Sequence, residues 1–267
     1  MICFPGCKIN LGLNVLAKRE DGYHTIQSVL YPIAWQDILE VIKSDIFQFS
    51  SSGLDIPGDQ KNNLCVQAYE LLRADYDLTP VKIHLHKIIP MGGGLGGGSS
   101  DGAYTLLLLN DLFELNLSED QLCTYAARLG SDCPFFIRNH TQYATETGTT
   151  LTNIALDLKG YYIKLLNIGV HVSTAEAYGN IQFLEGLKDP KEVVNLPMED
   201  WRDNLTNSFE ASVFPNHPEL AEIKEELYKE GAVYAAMTGS GSTMFGIYKE
   251  EPKLSFDHVS FEKVLAL

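Results

Sequence analysis

Positive charge is what this 267-residue chain lacks most: 20 lysines and arginines stand against 35 aspartates and glutamates, a formal net charge of −15. A nucleic-acid scaffold or a protein of anionic membrane surfaces needs basic patches that this balance does not supply. An anionic small substrate stays open, because backbone N–H groups bind phosphate even inside an acidic protein. Cysteine is sparse and unpatterned. Cys3, Cys7, Cys65, Cys123 and Cys133 contain no C-x-x-C pair, which argues against a disulfide framework and a zinc site. A reducing cytoplasm is the expected compartment. No apolar run has the length of a membrane span, and "MICFPGCKINLGLNV" lacks the charged-then-apolar order of a signal peptide. His84, His86, His140, His171, His217 and His258 show no metal-ligand spacing and receive no role. Internal repeats and low-complexity tracts are missing too.

What remains is a globular composition, 45% hydrophobic and 21% charged, long enough for two domains. In "CKINLGLNVL" Ile9, Leu11, Leu13 and Val15 alternate with Lys8, Asn10, Gly12 and Asn14, predicting a strand with one buried face. An Asp21-Gly22 turn leads to a second strand over 24–33. "DILEVIKS" and "IFQFSSSG" read as further strands, and strands without intervening helices predict antiparallel pairing. "NNLCVQAYELLRADY" is an amphipathic helix and "VKIHLHKII" a strand with Val81, Ile83 and Leu85 inside. "SSDGAYTLLLLNDLFEL" is a buried helix with a serine N-cap, and "SEDQLCTYAARLG" a helix from Ser118 to Gly130. A second alternation begins near residue 151. It has a strand in "YYIKLLNIGVHV", a helix start in "TAEAYGNI", and helices in "NSFEASVF" and "HPELAEIKEELYKEG". A strand–turn–strand in "AVYAAMTGSGSTMFGIYK" completes it. The expected division is residues 1–151 and 152–267.

Between strand and helix lies "PMGGGLGGGSSD", with six glycines in the seven positions from Gly92 to Gly98. Ordered glycine is entropically costly, so this density needs a reason. A helix N-terminus offers unpartnered N–H groups and a positive dipole, and a loop without side chains lets them wrap a polyphosphate. Ser99 and Ser100 are placed to cap the helix, bind phosphate oxygens or help hold a metal ion. A Walker loop would have lysine straight after the last glycine, where Ser99 stands. Gly92, Gly94 and Gly97 meet the dinucleotide pattern formally, but its ribose-binding carboxylate would fall inside a helix. A flexible linker would not separate a strand from a buried helix. A nucleotide phosphate is the expected visitor.

Strand–"PMGGGLGGGSS"–helix resembles the phosphate loop of the GHMP small-molecule kinases. "CKINLGLNV" resembles that family's first motif and "AMTGSGSTMFG" its third, in family order along essentially the whole chain. "KREDGYHTI" and "LGSDCPFFI" resemble the branch whose substrate is a diphosphocytidyl-methylerythritol, phosphorylated by ATP at its 2-hydroxyl. The resemblance implies an α+β, two-domain fold: an N-terminal domain like ribosomal protein S5 domain 2, with a left-handed crossover, and a ferredoxin-like C-terminal domain. It also implies ATP and Mg2+ as cofactors and no partner beyond the small-molecule substrate, in a cytoplasmic monomer or weak homodimer.

By the same resemblance Asp132 is the catalytic base and Lys8 its cationic partner. The plain alternatives are a turn or capping aspartate and a solvated strand lysine. Tyr23 reads the cytidine base by stacking and His24 by hydrogen bonds, with Tyr178 closing the other side; ordinary helix packing is the alternative for Tyr178. Asn10, Thr174, Gly239, Ser240 and Gly241 complete the substrate side, with Ser173 and Thr238 as further polar groups. For ATP the matching positions are Asn63, Leu64, Lys87, Pro90 and Met91. The loop itself adds Gly92, Gly93, Gly94, Leu95, Gly96 and Gly97, then Gly98, Ser99 and Ser100. Leu64 and Met91 read equally as core, and Lys87 as surface. Ser100 and Asp132 are the candidate magnesium contacts. The chain departs from the family at Cys7 beside Lys8, at Asp101-Gly102, and in a short C-terminus that trims an edge element. Another GHMP kinase, acting on mevalonate, homoserine or a sugar, and a nucleotide-binding regulator without chemistry are the competing readings.

Overall fold

The computed structural model describes residues 1–253, 256–257 and 259–267, so His258 lies outside the described residues. The first half of the chain forms β1 (Ile2–Cys3), β2 (Cys7–Lys18), β3 (His24–Ile33), β4 (Ile38–Lys43), β5 (Gln48–Gly53), α1 (Leu64–Asp75), β6 (Val81–Lys87), α2 (Gly97–Leu112), α3 (Glu119–Leu129) and α4 (Cys133–Arg138). There follow β7 (Gln142–Thr145), β8 (Thr150–Asn153), β9 (Tyr162–Asn167), α5 (Thr174–Gly179), α6 (Pro190–Val193), α7 (Trp201–Asn204), α8 (Ser208–Val213), α9 (Pro218–Lys229), β10 (Tyr234–Met237), β11 (Met244–Tyr248) and β12 (Phe261–Ala266). This mixture of helices and sheets is the expected α+β class. The chain forms two compact units: residues 1–8, 35–91 and 96–140, and residues 9–34, 92–95 and 141–267.

In the first unit the sheet order is β1-β4-β6-β5. β4 and β5 follow each other without a helix, yet they are not neighbours. β6 inserts between them, antiparallel to β4 and parallel to β5. The antiparallel expectation fails for β5 because α1 carries the chain back before β6 begins, which is the crossover a parallel pair needs. α1 packs on α2, and a Cβ on Gly102 would stand 2.8 Å from Leu64 Cβ. That close approach explains the glycine at 102. The expected serine cap of α2 is also corrected. Gly96, in the left-handed region at φ +72°, is the N-cap, and Ser99 and Ser100 lie inside the first turn. α3 starts and stops as predicted, with a capping box between Ser118 and Gln121 and Gly130 at its C-terminal end.

The second unit holds two sheets, ordered β2-β3-β7-β8 and β10-β11-β9-β12. The half-buried strand expected for β2 is instead buried on both faces from Cys7 to Val15. Its polar residues in this unit find partners there: Asn10 Nδ2 donates to Ser28 Oγ (2.8 Å) and Asn14 Nδ2 to Lys188 O (2.8 Å). β9 stops at Asn167, short of the run to Val172, because the Asn167 carboxamide accepts from Gly169 N (2.7 Å) and Gly169 turns at φ +85°. The C-terminal sheet is antiparallel throughout, in the strand order of ferredoxin-like sheets. The edge element expected to be trimmed is present as β12, paired with β9; among the described residues of 249–260 there is no helix.

Candidate active site

In the first unit, Lys8 and Asp132 meet. Lys8 Nζ lies 3.7 Å from Asp132 Oδ2, with the lysine side chain 5% exposed and the aspartate 41%. Asp132 occupies the N-cap position of α4 but its side chain makes no capping hydrogen bond. The carboxylate faces the cation, where a hydroxyl can reach it. Burial lowers the Lys8 ammonium from its ordinary range, opposed by the charge of Asp132. A Cβ on Gly96 would fall 3.0 Å from Phe136 Cζ and 3.2 Å from Lys8 Cγ, so the bare glycine lets the loop lie directly on the lysine stem.

The glycine run has several causes. Gly94, at φ +80°, would place a Cβ 2.1 Å from Thr238 O, and Gly93 one 2.5 Å from Thr243 Oγ1. Gly97 would place one 3.0 Å from Ile89 Cγ2. Gly98 is different: its φ is unremarkable and the nearest atom to an added Cβ is Met91 Cε at 3.9 Å. It lines an open groove of about 260 Å³ together with Phe49, Asn63, Leu64, Met91 and Asp101. The groove gathers four of the residues predicted around ATP. Asn63 also caps α1, its Oδ1 accepting from Cys65 N (2.9 Å). Met91 is 46% exposed, which removes the core alternative for it. Lys87 is not on the surface either; it is fully buried, bonded to Asp37 and Asp101.

The Ser100 hydroxyl, in the first turn of α2, is buried without a hydrogen-bond partner among the described residues. Such a group is costly unless a ligand oxygen or a hydrated ion satisfies it. That fits a polyphosphate arriving at the helix N-terminus. Among the described residues no three His, Cys, Asp or Glu side chains converge on a metal position. The buried Ser100 hydroxyl is an oxygen donor of the kind Mg2+ takes beside substrate phosphates and water. Ser99 is hydrogen-bonded to Cys133, whose thiol burial pushes up to about 12.

In the second unit, the His24 ring stacks on Tyr178 with centroids 4.6 Å apart and planes 25° from parallel, and Phe183 stands tilted at 6.3 Å. Tyr178 also packs edge-on against Phe209. Burial, then repulsion from Lys18, lowers the His24 imidazole from its ordinary range; neutral, it has one donor and one acceptor. Tyr23 is 67% exposed. Its backbone N–H is held by Asp21 Oδ1 at 3.0 Å. Ser173 is the N-cap of α5, and Thr174 Oγ1 lies 3.3 Å from Ser240 Oγ.

The turn carrying Gly239, Ser240 and Gly241 is pinned by Asn207, whose Nδ2 donates to Met237 O (2.7 Å) and Gly239 O (2.9 Å). Thr238 Oγ1 accepts from Asn10 N (3.1 Å), so Asn10 and Thr238 brace this turn. Nothing in the local sequence assigns Asn207 this role. Its only signal was an N-cap type ahead of the helical "SFEASV", where its Oδ1 accepts from Phe209 N (3.0 Å).

The family described as GHMP kinases N terminal domain matches residues 63–140, and GHMP kinases C terminal matches residues 184–257. A 4-diphosphocytidyl-2-C-methyl-D-erythritol kinase of Bacteroides thetaiotaomicron is 50% identical over 95% of this chain and 94% of its own. One of Cytophaga hutchinsonii is 47% identical over 97% of both chains. The crystal structure of a 4-(cytidine 5′-diphospho)-2C-methyl-D-erythritol kinase superposes with a TM-score of 0.79 at 31% identity, covering 92% of this chain and 89% of that one. The loop, the lysine–aspartate pair and these full-length likenesses agree: the chain belongs to the GHMP kinase family, in its 4-diphosphocytidyl-2-C-methyl-D-erythritol kinase branch.

Proposed function

We propose that the protein transfers the γ-phosphoryl group of ATP to the 2-hydroxyl of 4-diphosphocytidyl-2-C-methyl-D-erythritol, a step in non-mevalonate isoprenoid synthesis. The observation that carries the chemistry is the Lys8–Asp132 pair, a part-exposed carboxylate free of capping duty beside a buried cation. Asp132 accepts the proton of the attacking hydroxyl, and Lys8 offsets the charge that develops there. The α2 N-terminus and Ser100 hold phosphate oxygens. Ser100 and Asp132 are the candidates that would contact a bound Mg2+, which would supply charge neutralisation at the ATP phosphates. His24 reads the cytosine edge, while Tyr178 and Tyr23 supply stacking faces. We assign the ATP loop to a domain of residues 1–151 and the remaining substrate contacts chiefly to 152–267. Five free cysteines support a reducing cytoplasm, and a monomer or weak homodimer completes the reading.

The test is ADP release from purified protein with ATP and magnesium, comparing the diphosphocytidyl substrate with mevalonate and homoserine. Turnover with the cytidine compound alone is expected. Turnover with another alcohol would keep the kinase and discard the base contacts. Silence with all three would sink the catalytic reading.

A further inference from the structure

β6 places Val81, Ile83 and Leu85 on its inner face, and the same alternation carries Lys87 inside. A buried ammonium is costly unless it is paired and hydrogen-bonded. Lys87 Nζ donates to Asp37 Oδ2 at 2.5 Å and to Asp101 Oδ2 at 2.7 Å. Asp37 turns its other oxygen to the chain just before the glycine run, accepting from Ile88 N (2.5 Å) and Ile89 N (2.8 Å). Asp101 stands just after the run, in the first turns of α2. Between these anchors, a Cβ on Gly97 would lie 3.1 Å from Lys87 Nζ. One cation therefore ties the entry and the exit of the loop. The second Asp101 oxygen is buried with no hydrogen-bond partner among the described residues, so Lys87 and the neighbouring Asp37 are what hold this carboxyl.

We propose that Asp37, Lys87 and Asp101 are a positioning unit for the phosphate loop, in which Lys87 serves ATP through the backbone at Gly97 and through Asp101 rather than by touching the nucleotide. The proposal rests on reading 90–100 as the ATP loop. It accounts for two features together: a lysine at a core position and an aspartate opening the buried face of α2. A lysine that gripped phosphate directly would present its ammonium to the groove, whereas this one is fully buried.

The experiment uses the full chain with Asp101→Ala, Asp101→Asn and the double variant Lys87→Met/Asp101→Leu. The double variant removes the cation together with one of its two carboxyl partners, while Asp37 keeps its bonds from Ile88 N and Ile89 N, which offset part of the cost of losing Lys87. Two readouts separate positioning from plain stability: KM for ATP against KM for the diphosphocytidyl substrate, and hydrogen exchange of the 92–98 amides without nucleotide. We expect Asp101→Ala and the double variant to raise KM for ATP about tenfold, with KM for the second substrate changing less than twofold. Loop amides should exchange at least about tenfold faster. Asp101→Asn, whose carbonyl still accepts from Lys87, should restore both readouts to within about threefold of the parent. A folded double variant with unchanged ATP KM and unchanged exchange overturns the proposal. The exchange readout needs no nucleotide, so it decides the role of the triad even if the parent chain fails to turn over ATP. That outcome would sink the kinase reading instead.

Discussion

Gly98→Ala asks directly what approaches the loop. The chain itself gives no reason for glycine there. The residue has an ordinary helical φ inside α2, and an added Cβ would meet only Met91 Cε at 3.9 Å, a normal van der Waals distance. Alanine in a helix is favoured over glycine by about 0.5–1 kcal/mol, so the unliganded protein should be unchanged or slightly more stable. The methyl would project into the groove that Gly98 lines. If phosphate occupies that space, the crowding is of the overpacking kind, about 1–3 kcal/mol, or roughly a five- to hundredfold rise in KM for ATP. Gly94→Ala is the contrast. Its Cβ would stand 2.1 Å from Thr238 O at φ +80°, so it should destabilise the protein before any ligand is added. Chemical denaturation of both variants, with ADP release at varied ATP, makes the comparison. A stable Gly98→Ala protein with unchanged KM for ATP would refute the claim that a ligand demands this glycine. A destabilised one would refute the reading of the open space.

Asp132→Asn removes the base while keeping the shape, and turnover should fall about 10²–10⁴-fold with ATP binding retained by calorimetry; near-normal turnover would dismiss Asp132. Tyr178→Ala takes away the face on which His24 stacks, and a base-stacking loss of about 1–3 kcal/mol predicts roughly a five- to hundredfold rise in KM for the cytidine substrate alone. An equal rise in KM for ATP would remove Tyr178 from base recognition. Stability should also fall as pH rises from 6 to 8. Burial, opposed by Lys87 and aided by Asp37, pushes the Asp101 carboxyl up to about 8. Cys3 on β1 and Cys65 on α1 also sense its charge. Across that window the folded state keeps a proton that the unfolded chain has released, so the contribution is lost as pH climbs, by about 2 kcal/mol over the two units. Denaturation midpoints should show this slope in the parent and not in Asp101→Asn; parallel slopes would dismiss Asp101 as its source.

Local pattern carried far in this fold and then stopped at identifiable places. β3, the capping box of α3 and the β10–β11 hairpin lie where alternation and turn residues put them. The double-sided burial of β2 was not legible, because what covers it is distant in sequence. Lys188 accepts from Asn14, and a Cβ on Gly12 would meet Leu205 at 2.6 Å. The parallel pairing of β5 was hidden for a similar reason: nothing within "IFQFSSSG" says that β6 will return beside it.

The site shows the same division with a different cause. Lys8 and Asp132 lie 124 positions apart, and only motif resemblance joined them, since each alone reads as a surface residue. Residue type alone puts Lys87 on the surface, and the structure buries it. Its register on β6 already put it on the inner face, but an ammonium there looks forbidden until its hydrogen-bonding partners are known. Asp37 carried no signal of its own, being one carboxylate in "AWQDILE" ahead of a strand. Its role exists only because Ile88 N, Ile89 N and Lys87 Nζ converge on it. Where register and residue type disagree, as at Lys87, the disagreement is itself informative. A charge can be carried into a core only if other residues are there to receive it. In this protein the receivers are Asp37 and Asp101, and they brace the loop whose glycines first pointed to phosphate.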